Sequence, residues 1–174
     1  MDTESYYLMG TGSRTMVNHP NALDIYNGLK SFVLDMRERH SNLVLISGMA
    51  EGWDEAVAKI GWRENIPYVV AIPHPTYGEY YWRDHSQTKR NRFAMYQTLL
   101  ASAQEIITVS HTLYVDGVHA NFVRNTWMVE HCNEAAVWMP HSSGTRDAVA
   151  KLNARKIPMT NFDGQGKYQS TLPL

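Results

Sequence analysis

Short apolar runs alternate with longer amphipathic stretches along nearly the whole of this 174-residue chain. Tyr6-Tyr7-Leu8-Met9 stops at Gly10, Leu43-Val44-Leu45-Ile46 at Ser47-Gly48, and Tyr68-Val69-Val70-Ala71-Ile72 at Pro73. Ile106-Ile107-Thr108-Val109, Ala135-Ala136-Val137-Trp138-Met139 and Pro158-Met159-Thr160-Asn161 continue the series. Runs of this length, bounded by turn residues, predict buried strands. Between them apolar residues recur at helical spacing over 22–39, 53–60, 87–103, 120–132 and 144–156. A strand followed each time by a helix predicts an α/β fold: a Rossmann-like three-layer sandwich with a mostly parallel central sheet and helices on both faces.

The chain has the length of one domain, and no linker divides it. The reading is a single domain over 1–162 with a C-terminal tail, 163–174, that is loose or docked on a partner. No apolar run approaches the length of a membrane-spanning helix. The N-terminus, Met1-Asp2-Thr3-Glu4, is acidic and polar and lacks the basic start of a signal peptide, so the expected location is cytoplasmic, with no membrane partner. Lys and Arg total 16 against 17 Asp and Glu, which gives no basic excess for wrapping nucleic acid. The single Cys132 excludes an internal disulfide. The eight histidines fall in no zinc-ligand spacing, and no metal or cofactor is expected.

Ligands of an open parallel sheet bind beyond the carboxyl ends of its strands. There the chain places Gly10-Thr11-Gly12-Ser13-Arg14, Ser47-Gly48-Met49-Ala50-Glu51-Gly52-Trp53-Asp54 and His141-Ser142-Ser143-Gly144-Thr145. Any one of these is an ordinary strand-to-helix turn. Three at one end of one sheet point to an anion, because glycine admits close backbone approach and helix starts present free N–H groups. Ser13, Ser47, Ser143 and Thr145 could add hydroxyl donors and Arg14 a cation. His111, after the fourth strand, is a further candidate. The first turn lacks the third glycine of the dinucleotide fingerprint, and neither a P-loop nor a G-x-S-x-G elbow is present.

The segment from Ser47 to Ala56 resembles the S-G-x-A-x-G-x-D-x-x-A motif of the SLOG superfamily, which includes DprA and the LOG phosphoribohydrolases. Gly12-Ser13-Arg14, Arg124-Asn125 with Met128-Val129, and Ser143-Gly144-Thr145 are similar to further pieces of that pattern. Trp82 and Val109-Ser110-His111 with Tyr114 are similar to its YpsA-like branch. The resemblance spans roughly residues 5 to 162. It implies a site for a nucleotide or phosphoribosyl small molecule, built on Gly10, Gly12, Ser13, Arg14, Ser47, Gly48, Glu51, Gly52, Asp54, His111, Arg124, Asn125, Ser143, Gly144 and Thr145. It also implies a homo-oligomer.

One departure bears on activity. LOG enzymes carry P-G-G-x-G-T-x-x-E, whereas this chain has Ala148 in place of the glutamate and Asp147 one residue earlier, turned by about 100° on a helix. The first reading is therefore a protein that binds, senses or sequesters a nucleotide-like ligand such as a signalling nucleotide or ADP-ribose derivative. The second is an N-glycosidase or phosphoribohydrolase in which Arg124 holds phosphate or ribose and Glu51, Asp54 or Asp147 supplies the carboxylate. Nucleic acid ranks third: Lys89-Arg90-Asn91-Arg92, near Arg83, is one basic cluster, and a short charge run of this kind is more often the solvated face of a helix. Tyr77, Tyr80, Tyr81 and Trp82 form an aromatic loop suited to stacking a base or contacting a partner.

Overall fold

The computed structural model describes residues 4–84, 92–110, 117–138 and 142–171. The strands are β1 (Tyr6–Gly12), β2 (Leu43–Ser47), β3 (Tyr68–Ile72), β4 (Glu105–Thr108), β5 (Glu134–Trp138), β6 (Met159–Phe162) and β7 (Tyr168–Thr171). The helices are α1 (Ala22–Arg39), α2 (Trp53–Glu64), α3 (Phe93–Ala101), α4 (Gly117–His131) and α5 (Ser143–Ala154). The sheet runs β4-β3-β2-β1-β5-β6-β7, parallel throughout except for the antiparallel β6–β7 pair.

Every residue of β2 and β3 is buried, as strands covered on both faces require. The alternation of side chains across β1 divides the core in two. Leu8 joins Ile25, Leu29 and Phe32 of α1, Trp53 and Val57 of α2, and Leu99 of α3 on one face. Tyr7 and Met9 join Met128 and Val129 of α4 and Leu152 of α5 on the other. The expected three-layer architecture is therefore the observed one. No helix among the described residues is long and apolar enough to cross a membrane.

The glycines of β1 set how closely α2 approaches. A Cβ on Gly10 would stand 2.3 Å from Val57 Cγ2, and one on Gly12 would stand 2.5 Å from Trp53 Cγ. The strand accordingly continues through Gly10, where the sequence predicts its stop, to Gly12. Trp53 then reaches over the sheet to donate from Nε1 to the Ala136 carbonyl at 3.1 Å and stacks near Trp138. This packing carries the N-terminus of α2 to the carboxyl end of β1.

Within the segment read as a tail loose or docked on a partner, residues 163–171 form a turn and the edge strand β7. Asp163 Oδ1 accepts from the N–H groups of Gln165 and Lys167. Gly166, at φ 75°, turns the chain back so that Tyr168 packs on Phe32 and Phe162. Gly28 of α1 admits this turn, since a Cβ there would lie 2.0 Å from the Gly166 carbonyl oxygen.

Strands β2, β3 and β4 extend to one side of β1, and β5, β6 and β7 to the other. The order of the sheet thus reverses between β1 and β5. Chain segments leaving these two neighbours diverge, and a crevice opens between them at the carboxyl edge.

Candidate functional site

A cavity of about 230 Å³ fills that crevice. Thr11, Gly12 and Arg14 line it from β1 and the short helical turn beyond, Ala50 and Asp54 from the segment after β2, and Tyr77 from the segment after β3. Asn121, Phe122, Arg124 and Asn125 enter from α4, and Ser142, Ser143, Gly144 and Thr145 from the start of α5.

The turn after β2 is a folded support. Ser47 Oγ donates to the Asp54 carbonyl at 2.7 Å and accepts from the Met49 N–H at 3.1 Å, both buried. Met49 takes the left-handed conformation at φ 52°. Its carbonyl accepts from Trp82 Nε1 at 2.9 Å and from the Tyr77 hydroxyl at 3.4 Å. Gly52, at φ 90°, lies against the backbone of Ser13 and Arg14. Glu51 is wholly buried and faces Arg92 Nη1 at 3.5 Å, while Arg92 Nη2 also pairs with Glu55. Ser13 caps the turn Arg14–Asn18, accepting from the Thr15 N–H at 3.2 Å.

Asp54 emerges from this support into the cavity. Its carboxylate accepts backbone N–H groups of Ala50 and Gly12. Burial pushes its pKa up to about 6, against the pull of Arg124 and of the two N–H groups. Close to it Arg124, 5% exposed, donates from Nη1 to the Gly48 carbonyl at 2.6 Å and from Nη2 to Asn125 Oδ1 at 3.3 Å. Its Nε is buried and has no hydrogen-bond partner. Asn125 Nδ2 in turn donates to the Gly144 carbonyl at 3.0 Å and to Asp147 Oδ2 at 3.1 Å, tying α4 to the first turn of α5.

That first turn is the open wall. Ser142 caps α5, accepting from the Thr145 N–H at 3.1 Å with Thr145 Oγ1 at 2.7 Å. Ser143 and Gly144 carry the N–H groups that the start of a helix leaves without intrahelical acceptors. A Cβ on Gly144 would meet nothing within 4 Å, so this glycine borders empty space rather than a packed neighbour.

The structure therefore brings Gly12, Arg14, Asp54, Arg124, Asn125, Ser143, Gly144 and Thr145 to one cavity. Gly10, Ser13, Ser47, Gly48, Glu51 and Gly52 lie behind its walls. Asp147 also stands back, bonded to Asn125 and to Lys151 Nζ at 2.7 Å. The hydroxyls of Ser13, Ser47 and Thr145 serve local turns. His111, Tyr114, Lys89, Arg90 and Asn91 lie outside the described residues, as do the side chains of Tyr80 and Tyr81. Trp82 is no open stacking platform. It is 1% exposed, packs on Tyr96 at 5.4 Å and is spent on the Met49 carbonyl. Arg92 is committed to Glu51 and Glu55, and Arg83 lies over the Phe93 ring at 5.9 Å.

Sequence reasoning did not single out Thr11, Ala50, Asn121, Phe122 or Ser142 as lining residues. Helical spacing holds the signal for Asn121, which shares a face with Arg124 and Asn125. The Ser142-x-x-Thr145 pattern holds the signal for the cap.

No family model matches the sequence, and no curated protein matches it. Solved structures do. DNA processing protein A from Helicobacter pylori, described for its single-stranded DNA binding mode, superposes with a TM-score of 0.66 at 13% identity, over 94% of this chain and 73% of its own. DprA from Streptococcus pneumoniae superposes with a TM-score of 0.54 at 14% identity, over 92% of this chain and 50% of its own. The chain thus has the α/β fold of the DprA proteins.

Proposed function

We propose that the protein binds a nucleotide or nucleotide-derived ligand at the β1–β5 crevice, through a phosphate seated between Arg124 and the first turn of α5. The observation that carries this reading is the pairing of a buried guanidinium with an open helix start. Arg124 is held in place from Gly48 and Asn125, and Gly144, on the lining of the same cavity, has no packing partner for a side chain. A helix N-terminus with a glycine admits the close approach of an anion, and a fixed arginine matches its geometry. The cavity is smaller than the roughly 300–1,000 Å³ of sites that enclose drug-sized ligands, which suits a phosphoribosyl portion with the rest of the ligand extending outward. The protein acts as a sensor or a sequestering protein in this reading, and the resemblance of Trp82 and Val109-Ser110-His111 to the YpsA-like branch supports a relation to it. Mass spectrometry of small molecules released on denaturation, followed by binding measurements with a nucleotide panel, tests it. An intact nucleotide bound by the parent and lost in Arg124→Ala is the expected result, and absence of affinity for every nucleotide ends the proposal. Release of free base would convert the reading to an N-glycosidase with its carboxylate at Asp54, since Glu51 and Asp147 are engaged elsewhere.

A second reading takes the same phosphate seat as a contact for single-stranded nucleic acid. The observation favouring it is the fold likeness to the H. pylori protein described for that binding. It requires oligonucleotide affinity that falls steeply with salt. Binding unmoved by salt, or absent, removes it.

A further inference from the structure

The cavity combines an anion seat with a carboxylate. Its formal charges, among the described residues, are Arg14, Arg124 and Asp54. A Cβ built on Gly48 would lie 2.7 Å from Asp54 Oδ2 and 3.0 Å from Nε and Cζ of Arg124, so carboxylate and guanidinium converge on one point with only a glycine between them. The carboxylate is anchored by the N–H groups of Gly12 and Ala50 and cannot turn away without losing both. An oxyanion placed against Arg124 and Gly144 therefore confronts the oxygen of a carboxylate that is only 5% exposed. Like charges so placed cannot both remain ionised at low cost.

We infer that Asp54 is the specificity-determining residue of this site and that the site takes up its phosphate together with one proton, carried on the Asp54 carboxyl. This inference rests on the proposed phosphate seat. The proton comes from solvent, and the resulting O–H donates to a phosphate oxygen, turning a repulsive neighbour into a hydrogen-bond partner. Burial already places the free carboxyl near the titration range of neutral solutions. Ligand charge then offsets Arg124, the cation that favours ionised Asp54, and drives the proton on. The surrounding charges leave this role to Asp54. From α5 come Asp147 and Lys151, paired with each other at 2.7 Å. From the segment after β2 comes Glu51, facing Arg92, and on α2 itself Glu55 pairs with Lys59 and Arg92. The segment after β3 brings the phenol of Tyr77 and the imidazole of His74, whose pKa burial lowers. The cations that line the cavity are Arg14 and Arg124.

Titration calorimetry of the whole chain with 5′-AMP and with a 3′,5′-linked dinucleoside monophosphate, in two pH 7.5 buffers of different ionisation enthalpy, reads the proton directly. The diester has no titrating phosphate oxygen of its own, so uptake of close to one proton with both probes assigns it to the protein. Affinity should fall about tenfold per pH unit between pH 7 and 8.5. Asp54→Asn should abolish the uptake and, at pH 8, bind about 10–100-fold more tightly than the parent while matching it at pH 5. Binding without proton uptake, or uptake that persists in Asp54→Asn, overturns the inference and leaves the phosphate seat standing. Absence of binding by both probes overturns the seat and this inference with it. The wild-type buffer comparison decides the matter even where the variant fails to fold.

Discussion

Two turns at the same edge of the sheet, Ser47–Asp54 and Ser142–Thr145, have nearly the same ingredients and opposite roles. Each pairs serine with glycine between a strand and a helix. The first is internally satisfied: Ser47 staples its two ends, Met49 is held in the left-handed region by two aromatic donors, and Gly48 and Gly52 sit where side chains would collide. The second is held at its cap and by Asn125 on the Gly144 carbonyl, and its glycine borders empty space. The difference teaches that glycine at a strand end is evidence for a ligand only where nothing of the protein occupies the space it leaves. By that criterion the proposed ligand contact falls to Gly144, while Gly48 is a spacing glycine.

The comparison can be broken most forcefully at the support. Trp82→Ala removes a buried indole and one of the two donors to the Met49 carbonyl, and should cost about 3–5 kcal/mol in chemical denaturation. A loss below 1 kcal/mol would mean that the turn after β2 does not depend on the aromatic segment.

A smaller effect tests the carboxylate that the support carries. The folded pKa of Asp54, about 6, lies above the value near 3.8 it has when unfolded. Between these values the native state holds more protons than the unfolded one, so the contribution of this group is fully present below pH 4 and is lost as pH rises through 6. The span is roughly 3 kcal/mol. Denaturation curves from pH 4 to 7 should show this loss in the parent and a flatter profile in Asp54→Asn.

Ser142→Ala removes the cap of α5 and should cost about 1 kcal/mol, together with weaker ligand binding as the first turn frays. Gly144→Ala should leave stability unchanged or raise it by less than about 1 kcal/mol, because alanine favours helix and meets no neighbour. Nucleotide affinity should nevertheless drop at least tenfold. A Gly144→Ala protein with full affinity would dissolve the contrast between the two turns.

Much of the fold was legible because a parallel sheet covered on both faces leaves a plain mark: Tyr68–Ile72 and Leu43–Ile46 are continuous apolar runs of strand length. What local pattern could not show was tertiary. Gly10 reads as a strand stop, yet it lies inside β1 because Val57 packs against it. The tail from 163 reads as polar and loose, yet the Asp163 turn and the rings of Phe32 and Phe162 fold it into the sheet edge. Of the candidate carboxylates, composition could not separate Glu51, Asp54 and Asp147, since each lies in or beside a glycine-containing turn. Ion pairing with Arg92 and Lys151 engages two of them, and the cavity receives the third.

By itself, then, the amino-acid order determined the alternation of strands and helices, and with it the layered sheet and its carboxyl edge, where open parallel sheets place their ligands. Both follow from hydrophobic periodicity and the geometry of parallel strands, which are local properties of the chain. Only the tertiary structure decided which glycines face empty space, which carboxylate meets Arg124, and where the last strand goes. Those outcomes depend on close approach between residues far apart in sequence. Gly48 and Arg124, joined by a 2.6 Å hydrogen bond across 76 positions of chain, are the clearest case.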